Sequence, residues 1–442
     1  MVAVGLVNLG CAKNQVDAEI MLGLIDEAGF KLVNDYSQAE VLIVNTCGFI
    51  GDAKEESIDT ILQLAEYKKD NCKSLIVTGC LAQRHLEELE AEIPEIDGIL
   101  GTGNFDKIVE VIKETLSGKS RAEVGNPEFN YHNRLPQKRI GQDYTAYLKI
   151  AEGCNNCCSY CVIPELRGKL HSREIEDIVT EAVELADQGV KEVNIIAQDI
   201  TKYGSDLYGE PRLVELLTEL MKVKGIKWFR LLYAYPNDFS DELIEVMAKH
   251  ERICNYIDLP IQHVDDKIRS KMRRRGTKED ILSLIRKLRD RIPGISIRTS
   301  LIVGFPGETE DEFKNLLDFV QQARFDRLGV FTYSREEGTA AAEMPDQVAE
   351  EIKEERYERI MDLQQRISLE RNQEWIGREV EVLIEEIQQN EDQKLAVGRT
   401  QQDAPEIDGL VYVEDVKAEP GEFIKVRIKD AYEYDLIGER VE

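Results

Sequence analysis

Through residue 332 the chain alternates short apolar, β-branched runs with stretches of helical spacing, which confines it to parallel sheets covered by helices. Parallel strands cannot be joined by tight turns, so each connection must cross over the sheet and lay a helix on its face. Val2–Leu9, Val41–Asn45 and Leu75–Thr78 read as strands, with helical spacing over Val16–Ala28 and Glu55–Tyr67. They predict an α/β parallel-sheet domain over residues 1–135. The polar stretch Ser117–Asp143, holding Gly118, Gly125, Pro127, Pro136 and Gly141, reads as a linker. Six further strands are expected at Thr145–Ile150, Glu192–Ala197, Trp228–Tyr233, Tyr256–Pro260, Ser296–Val303 and Arg327–Thr332. With helices such as Glu174–Gln188 between them, they predict a TIM-like βα barrel, closed or partly open, over residues 140–372. That span includes a long charged helix from Asp346 to Gln373. Beyond it the pattern changes to all β: Glu379–Glu385, Lys394–Arg399, Leu410–Glu414 and Phe423–Lys429, split by turns, suit a small antiparallel barrel over residues 373–442.

No apolar run reaches the roughly 18 residues of a membrane helix, and the N-terminus lacks a charged secretory leader. A cytoplasmic protein is expected. Nine cysteines in such a compartment are no disulfide framework, which turns attention to metal ligands. The net charge of −29 argues against a grip on nucleic acid and for a basic protein partner or none.

Cys154, Cys158 and Cys161 follow directly on the barrel's first strand with the spacing C-x3-C-x2-C. Three thiolates on one loop can hold three irons of a [4Fe–4S] cubane and leave the fourth open to a chelating ligand. Counting Cys157 as well gives C-x2-C-C-x2-C, a four-thiolate zinc pattern, but zinc sites normally set their pairs a dozen or more residues apart. Cys157 is a bystander or a spare ligand. In the first domain, three strands each run into a cysteine: Cys11 after Gly10, Cys47 after Thr46 and Cys80 after Gly79. Ligands of an open parallel sheet gather outside its carboxyl edge, so neighbouring strands would deliver three thiols to one place. Three buried structural cysteines are the bland alternative. Cys72 and Cys254 fit neither pattern and are taken as structural.

The cysteine loop, with Tyr160 before its last cysteine, resembles the radical S-adenosylmethionine superfamily, whose cluster cleaves the cofactor's sulfonium to a 5′-deoxyadenosyl radical. The whole chain then resembles the methylthiotransferases, which pair that barrel with a three-cysteine N-terminal domain and a C-terminal TRAM barrel related to the oligonucleotide-binding fold. The resemblance implies two [4Fe–4S] clusters, S-adenosylmethionine, an electron donor, a sulfur source and replacement of an unactivated C–H hydrogen by a methylthio group. Gly10–Asp17, Pro260–His263 and Ala404–Gly409 resemble the branch that modifies a ribosomal protein more than the transfer-RNA branch. The implied substrate is the β-carbon of an aspartate in the twelfth small-subunit ribosomal protein. The alternatives are a transfer-RNA methylthiotransferase acting on a hypermodified adenosine, and a non-catalytic zinc or cluster scaffold. Residues 373–442 carry 19 Asp+Glu against 8 Lys+Arg, a net of −11, which suits a basic ribosomal protein better than RNA.

Gln198 and Asp199 end a barrel strand, where barrel active sites lie, and the resemblance places them near the cofactor or substrate. Arg167 and Arg173 follow the cysteine loop and could grip a carboxylate of either, or form ordinary ion pairs. Gly304–Glu308 reads as a rim turn and, by the resemblance, as a wall of the cofactor site. Gly101-Thr102-Gly103 lacks the third glycine of a dinucleotide fingerprint. The basic run Lys267–Arg275 reads as one helix partly balanced by Asp265 and Asp266, and His263 as a hydrogen-bonded core or rim residue.

Overall fold

The computed structural model describes residues 1–127, 135–389, 394–414 and 417–441. Six parallel strands form the first sheet in the order Lys31–Leu32, Ala3–Asn8, Val41–Thr46, Ser74–Gly79, Gly98–Leu100, Arg121–Glu123. Alternate residues of its central strands feed two cores. Val4, Ile43 and Ile76 pack under helix Ala12–Glu27, whereas Leu42, Val44, Leu75 and Val77 pack with Ile61 and Leu64 of helix Gly51–Ala65. The expected linker is only partly one. Arg121–Glu123 pairs with Gly98–Leu100 as an edge strand, and Lys107 and Arg121 hold Glu123 at 2.8 and 2.7 Å. Further on, Lys138 N–H donates to the Glu19 carbonyl at 2.9 Å. Residues 128–134 of that stretch lie outside the described residues.

The second sheet is also all parallel, and its strands lie side by side in chain order from Thr145–Lys149 through Glu192–Ile196, Trp228–Leu231, Ile253–Asp258 and Ser296–Val303 to Arg327–Thr332. Its first and last strands do not pair, so the barrel is open. The outer face buries Leu148, Val193, Ile195, Phe229, Leu231, Ile257 and Ile297 under the surrounding helices. The inner face is different in kind: Trp228, Leu232 and Tyr256 join one core with residues of helix Ala12–Glu27 and with Leu383 and Ala404 from the C-terminal region. Helix Glu350–Gln373, in the span read as a long charged helix with one solvated face, buries Ile360, Leu363 and Ile367 of its other face on this domain. The expected helix over the basic run stops early. It spans Asp266–Lys271, because the chain turns left-handed at Arg273 (φ 55°) and Gly276 (φ 77°).

The last sheet is a closed five-stranded barrel of Glu379–Gln389, Lys394–Arg399, Val411–Glu414, Leu436–Arg440 and Phe423–Ala431. It is not wholly antiparallel, since Val411–Glu414 and Leu436–Arg440 pair parallel to close it. Leu436–Arg440 is too short and polar, with Gly438 in its middle, to stand out in the sequence. Buried charges dock this barrel on the second domain. Glu192 receives Arg399 at 2.6 Å and Arg230 at 2.9 Å, Asp403 receives Arg327 at 2.6 Å, and Tyr256 donates to Asp408 at 2.7 Å.

Candidate active site

The three N-terminal cysteines follow three adjacent strands whose ends are level, with Asn8 beside Asn45, Asn45 beside Thr78 and Thr46 beside Gly79. Gly10 (φ 88°) lets the chain pass so close to Cys47 that a Cβ there would lie 2.9 Å from the Cys47 Cβ, and Gly79 (φ 95°) turns the chain into Cys80. Asn14 then stitches the edge together. Its Nδ2 donates to the Leu9 and Thr46 carbonyls at 3.0 and 2.8 Å, and its carbonyl accepts from Asn45 at 2.8 Å. Burial pushes the Cys80 thiol up to about 11 against the pull of Arg167, and it raises Cys47 as well. At Cys11 burial pushes the same way, but Lys13 and Arg167 outweigh it and hold the thiol below its ordinary value.

The second set lies on the loop after Glu152. Asn156 N–H points at Cys154 Sγ at 3.4 Å and Ile163 N–H at Cys161 Sγ at 3.5 Å, while Cys161 N–H donates to the Cys158 carbonyl at 3.1 Å. Burial raises Cys154 to about 11 and Cys161 to about 12. Cys157 is exposed. Cys72 and Cys254 are buried in separate cores. Among the described residues, no three His, Cys, Asp or Glu side chains stand as a single metal ion would need. In a cubane each thiolate serves its own iron, and that donor set matches three thiols per site.

A buried ion network runs from Cys80 of the first set to Glu152, two residues before Cys154 in the chain. Arg167 sends Nη2 to Cys80 Sγ at 3.5 Å and to Asn14 Oδ1, and Nη1 to Asp17 at 2.5 Å and Glu152 at 3.3 Å. Lys149 bridges the same carboxylates at 2.5 and 2.7 Å. Glu152 also accepts from Gln198. Burial would raise the Glu152 carboxyl, but Lys149 and Arg167 hold it well below the usual range. Asp199 accepts from Asn156 of the cysteine loop at 2.8 Å and from the Thr201 hydroxyl at 2.6 Å. Gln198 and Arg167 therefore meet at Glu152, just before the cysteine loop, and Asp199 holds the loop itself through Asn156. Arg173 does not join them: Asp177, Glu181 and the Lys149 carbonyl engage its guanidinium at 2.6, 2.5 and 2.8 Å.

Other residues of this region escaped the sequence reading. Lys13 lies with its Nζ 3.2 Å from the Tyr233 ring centre, linking the Cys11 segment to the second domain. Lys149 and Glu152 left one signal, charged residues inside an apolar strand end. Arg274, hidden in the basic run, reaches Cys158 Sγ at 3.8 Å and the Tyr160 hydroxyl at 3.3 Å. His263, which the sequence reading did single out as a hydrogen-bonded core or rim residue, is fully buried: its Nδ1 accepts from Asp265 N–H at 3.0 Å, and its Nε2 lies 3.4 Å from Glu308 of the expected rim turn, which also accepts from Gly304 N–H at 3.1 Å.

The profile of the radical SAM superfamily matches residues 148–320, that of the uncharacterized protein family UPF0004 residues 3–101, and that of the TRAM domain residues 376–441. Among solved structures, the chain is similar to the radical S-adenosylmethionine methyltransferase TsrM from Kitasatospora setae, with cobalamin and a [4Fe–4S] cluster bound (TM-score 0.55, 17% identity, 75% of each chain). It is also similar to the cobalamin-dependent radical enzyme OxsB (TM-score 0.51, 13% identity, 83% of this chain and 56% of that one). Both show the fold alone. Proteins named ribosomal protein uS12 methylthiotransferase RimO are far nearer in sequence. That of Clostridioides difficile is 54% identical over 99% of both chains, and that of Geobacter sulfurreducens 51% over 99% of this chain and 98% of its own. Identity of this extent over essentially the whole chain shows that it belongs to the RimO family of radical SAM methylthiotransferases.

Proposed function

We propose that the protein methylthiolates the β-carbon of an aspartate in ribosomal protein uS12, with Cys154, Cys158 and Cys161 holding one [4Fe–4S] cluster and Cys11, Cys47 and Cys80 a second. The observation that carries this reading is the pair of three-thiol sites, with a buried network of Arg167, Asp17, Lys149 and Glu152 running from Cys80 to the residue pair before Cys154. When bound, the clusters and S-adenosylmethionine supply the radical and the sulfur chemistry. The chain's own work is placement. Asn156, held by Asp199, sets the geometry of the cysteine loop, and Gln198 and Asp199 offer polar groups to the cofactor at the strand end. Gln198 Oε1, buried with no partner among the described residues, supports that role. Arg167 acts at the junction of the two sites, and Arg173 from behind, by fixing Lys149 through its carbonyl.

The acidic C-terminal barrel supports a basic protein substrate over transfer RNA. The protein works in the cytoplasm, with a low-potential electron donor and a sulfur source; no helix among the described residues is long and apolar enough to cross a membrane. Anaerobic incubation with purified uS12 and with transfer RNA, followed by mass spectrometry, tests the reading. A methylthio mass gain on one uS12 aspartate is expected. A gain on transfer RNA and none on uS12 would overturn the substrate, and zinc in place of iron would overturn the chemistry.

A further inference from the structure

We propose that Arg274 sets the reduction potential of the barrel cluster, its uncompensated positive charge favouring the reduced state; the inference rests on Cys154, Cys158 and Cys161 holding that cluster. The guanidinium is buried, with the residue only 8% exposed. Its hydrogen bonds and ring contact among the described residues are to neutral groups or to sulfur. Nη1 lies 3.3 Å from the Tyr160 hydroxyl and 3.8 Å from Cys158 Sγ, Nη2 donates to the Pro260 carbonyl at 2.6 Å, and the group stacks 4.3 Å from the Tyr235 ring centre. Its Nε is buried with no partner among the described residues. No Asp or Glu of the described residues pairs with it.

The surroundings make this stranger. Arg269, also fully buried, donates to the carbonyls of Ile261, His263, Arg275 and Gly276 and to the Asn237 side chain, and pairs with no carboxylate among the described residues. Arg275 over the same Tyr235 ring is already neutralised by Asp238. A buried cation without a counter-charge is costly. The feature makes sense if the counter-charge is brought by what the loop binds. A [4Fe–4S] core on three thiolates is an anion and grows more negative on taking up an electron. A fixed cation beside one of its sulfurs, in a low-dielectric setting, stabilises the reduced form more than the oxidised one. No bond changes at Arg274: the electron passes from the low-potential donor to the cluster, and the guanidinium stays protonated throughout.

Arg167 at the other site supplies the contrast. It also touches a cysteine sulfur, but Asp17 and Glu152 oppose its charge. Arg274 is thus a positioning residue for charge, acting on the cluster through Cys158.

The test is a potentiometric titration of the reconstituted full-length holoenzyme followed by electron paramagnetic resonance. The barrel cluster is identified as the one whose signal changes when S-adenosylmethionine is added. Arg274→Gln is expected to lower its reduced-to-oxidised ratio about tenfold at a fixed potential, a fall of about 59 mV for one electron. Arg274→Lys should recover most of that fall, and the N-terminal cluster should be unmoved. An unchanged potential in Arg274→Gln, or an equal fall in both variants, would overturn the inference. If Arg274→Gln takes up no iron at this site, Arg274→Lys decides: a near-wild-type potential supports the proposal and a tenfold shift contradicts it. If the wild-type loop itself holds no cluster, the functional reading fails instead, and iron analysis tells the two failures apart.

Discussion

The two cysteine sets are built on opposite principles. The barrel set is local, with three thiols within eight residues and sulfurs braced by backbone N–H groups of their own loop. The N-terminal set is assembled at long range, by three strands in register and by Asn14 reaching across their ends. Their charge settings differ as well. Arg167 beside Cys80 sits in a buried lattice with Asp17, Glu152 and Lys149, whereas Arg274 beside Cys158 meets no carboxylate among the described residues. A lattice of opposed charges fixes geometry; a buried cation without a carboxylate fixes potential. One site is therefore stabilised as an interface, the other as an electron acceptor.

Removing the barrel set gives the largest effect. Replacing Cys154, Cys158 and Cys161 together by Ala should abolish both 5′-deoxyadenosine and methylthio product and leave about half the iron, measured by chromatography and metal analysis. Turnover in that variant would break the division of roles. Next in size is the lattice itself. Arg167→Met takes one of the cations that meet the buried Asp17 and Glu152 carboxylates and should cost about 3–5 kcal/mol in the iron-free protein, read by denaturant unfolding. Arg274→Met in the same assay removes a charge that no carboxylate of the described residues meets, and should cost no more than about 1–2 kcal/mol. Equal losses would erase the contrast between the two arginines.

Glu19, on the helix that carries Lys13, Asn14 and Asp17, gives a pH signature. Burial raises its carboxyl to about 7, against hydrogen bonds from Ile140 N–H and Gln15. A raised carboxyl is protonated in the fold below about 7 and in the unfolded chain only below about 4.5. Stability contributed by this group is therefore full at low pH and lost as pH rises between those values, by up to about 3 kcal/mol. Glu19→Gln should flatten that slope and be the more stable protein at pH 8, in paired denaturant titrations; an unchanged slope would show that Glu19 is ionised throughout. The smallest effect belongs to Cys157→Ala. Its thiol is exposed, so iron content and product yield should match wild type. A loss of iron would make it a ligand and revive the four-thiolate pattern.

Much of this was legible in the sequence, and the illegible parts share a cause. Apolar runs with β-branched residues announced the parallel strands, and the loop spacing singled out Cys154, Cys158 and Cys161 as candidates, because both signals are short-range. Strand Leu436–Arg440 was missed since its pairing comes from barrel closure, not from its own residues. Arg121–Glu123 was hidden among linker residues because an edge strand needs only one partner. The site's charges were the hardest to read. Arg167 was recognised but its partners Asp17 and Glu152 were not, as they lie 150 and 15 residues away and only the fold joins them. Arg274 sat in a run of cations that resembles a solvated helix until the chain turns at Arg273.

The division of labour between the two sets is tested most directly by replacing Cys11, Cys47 and Cys80 together by Ala and following three quantities in one anaerobic reaction with uS12. Iron should fall to about half, 5′-deoxyadenosine should still form, and methylthio-uS12 should be absent. Methylthiolated uS12 from that variant would contradict the account, because the N-terminal thiols would then be dispensable to sulfur insertion.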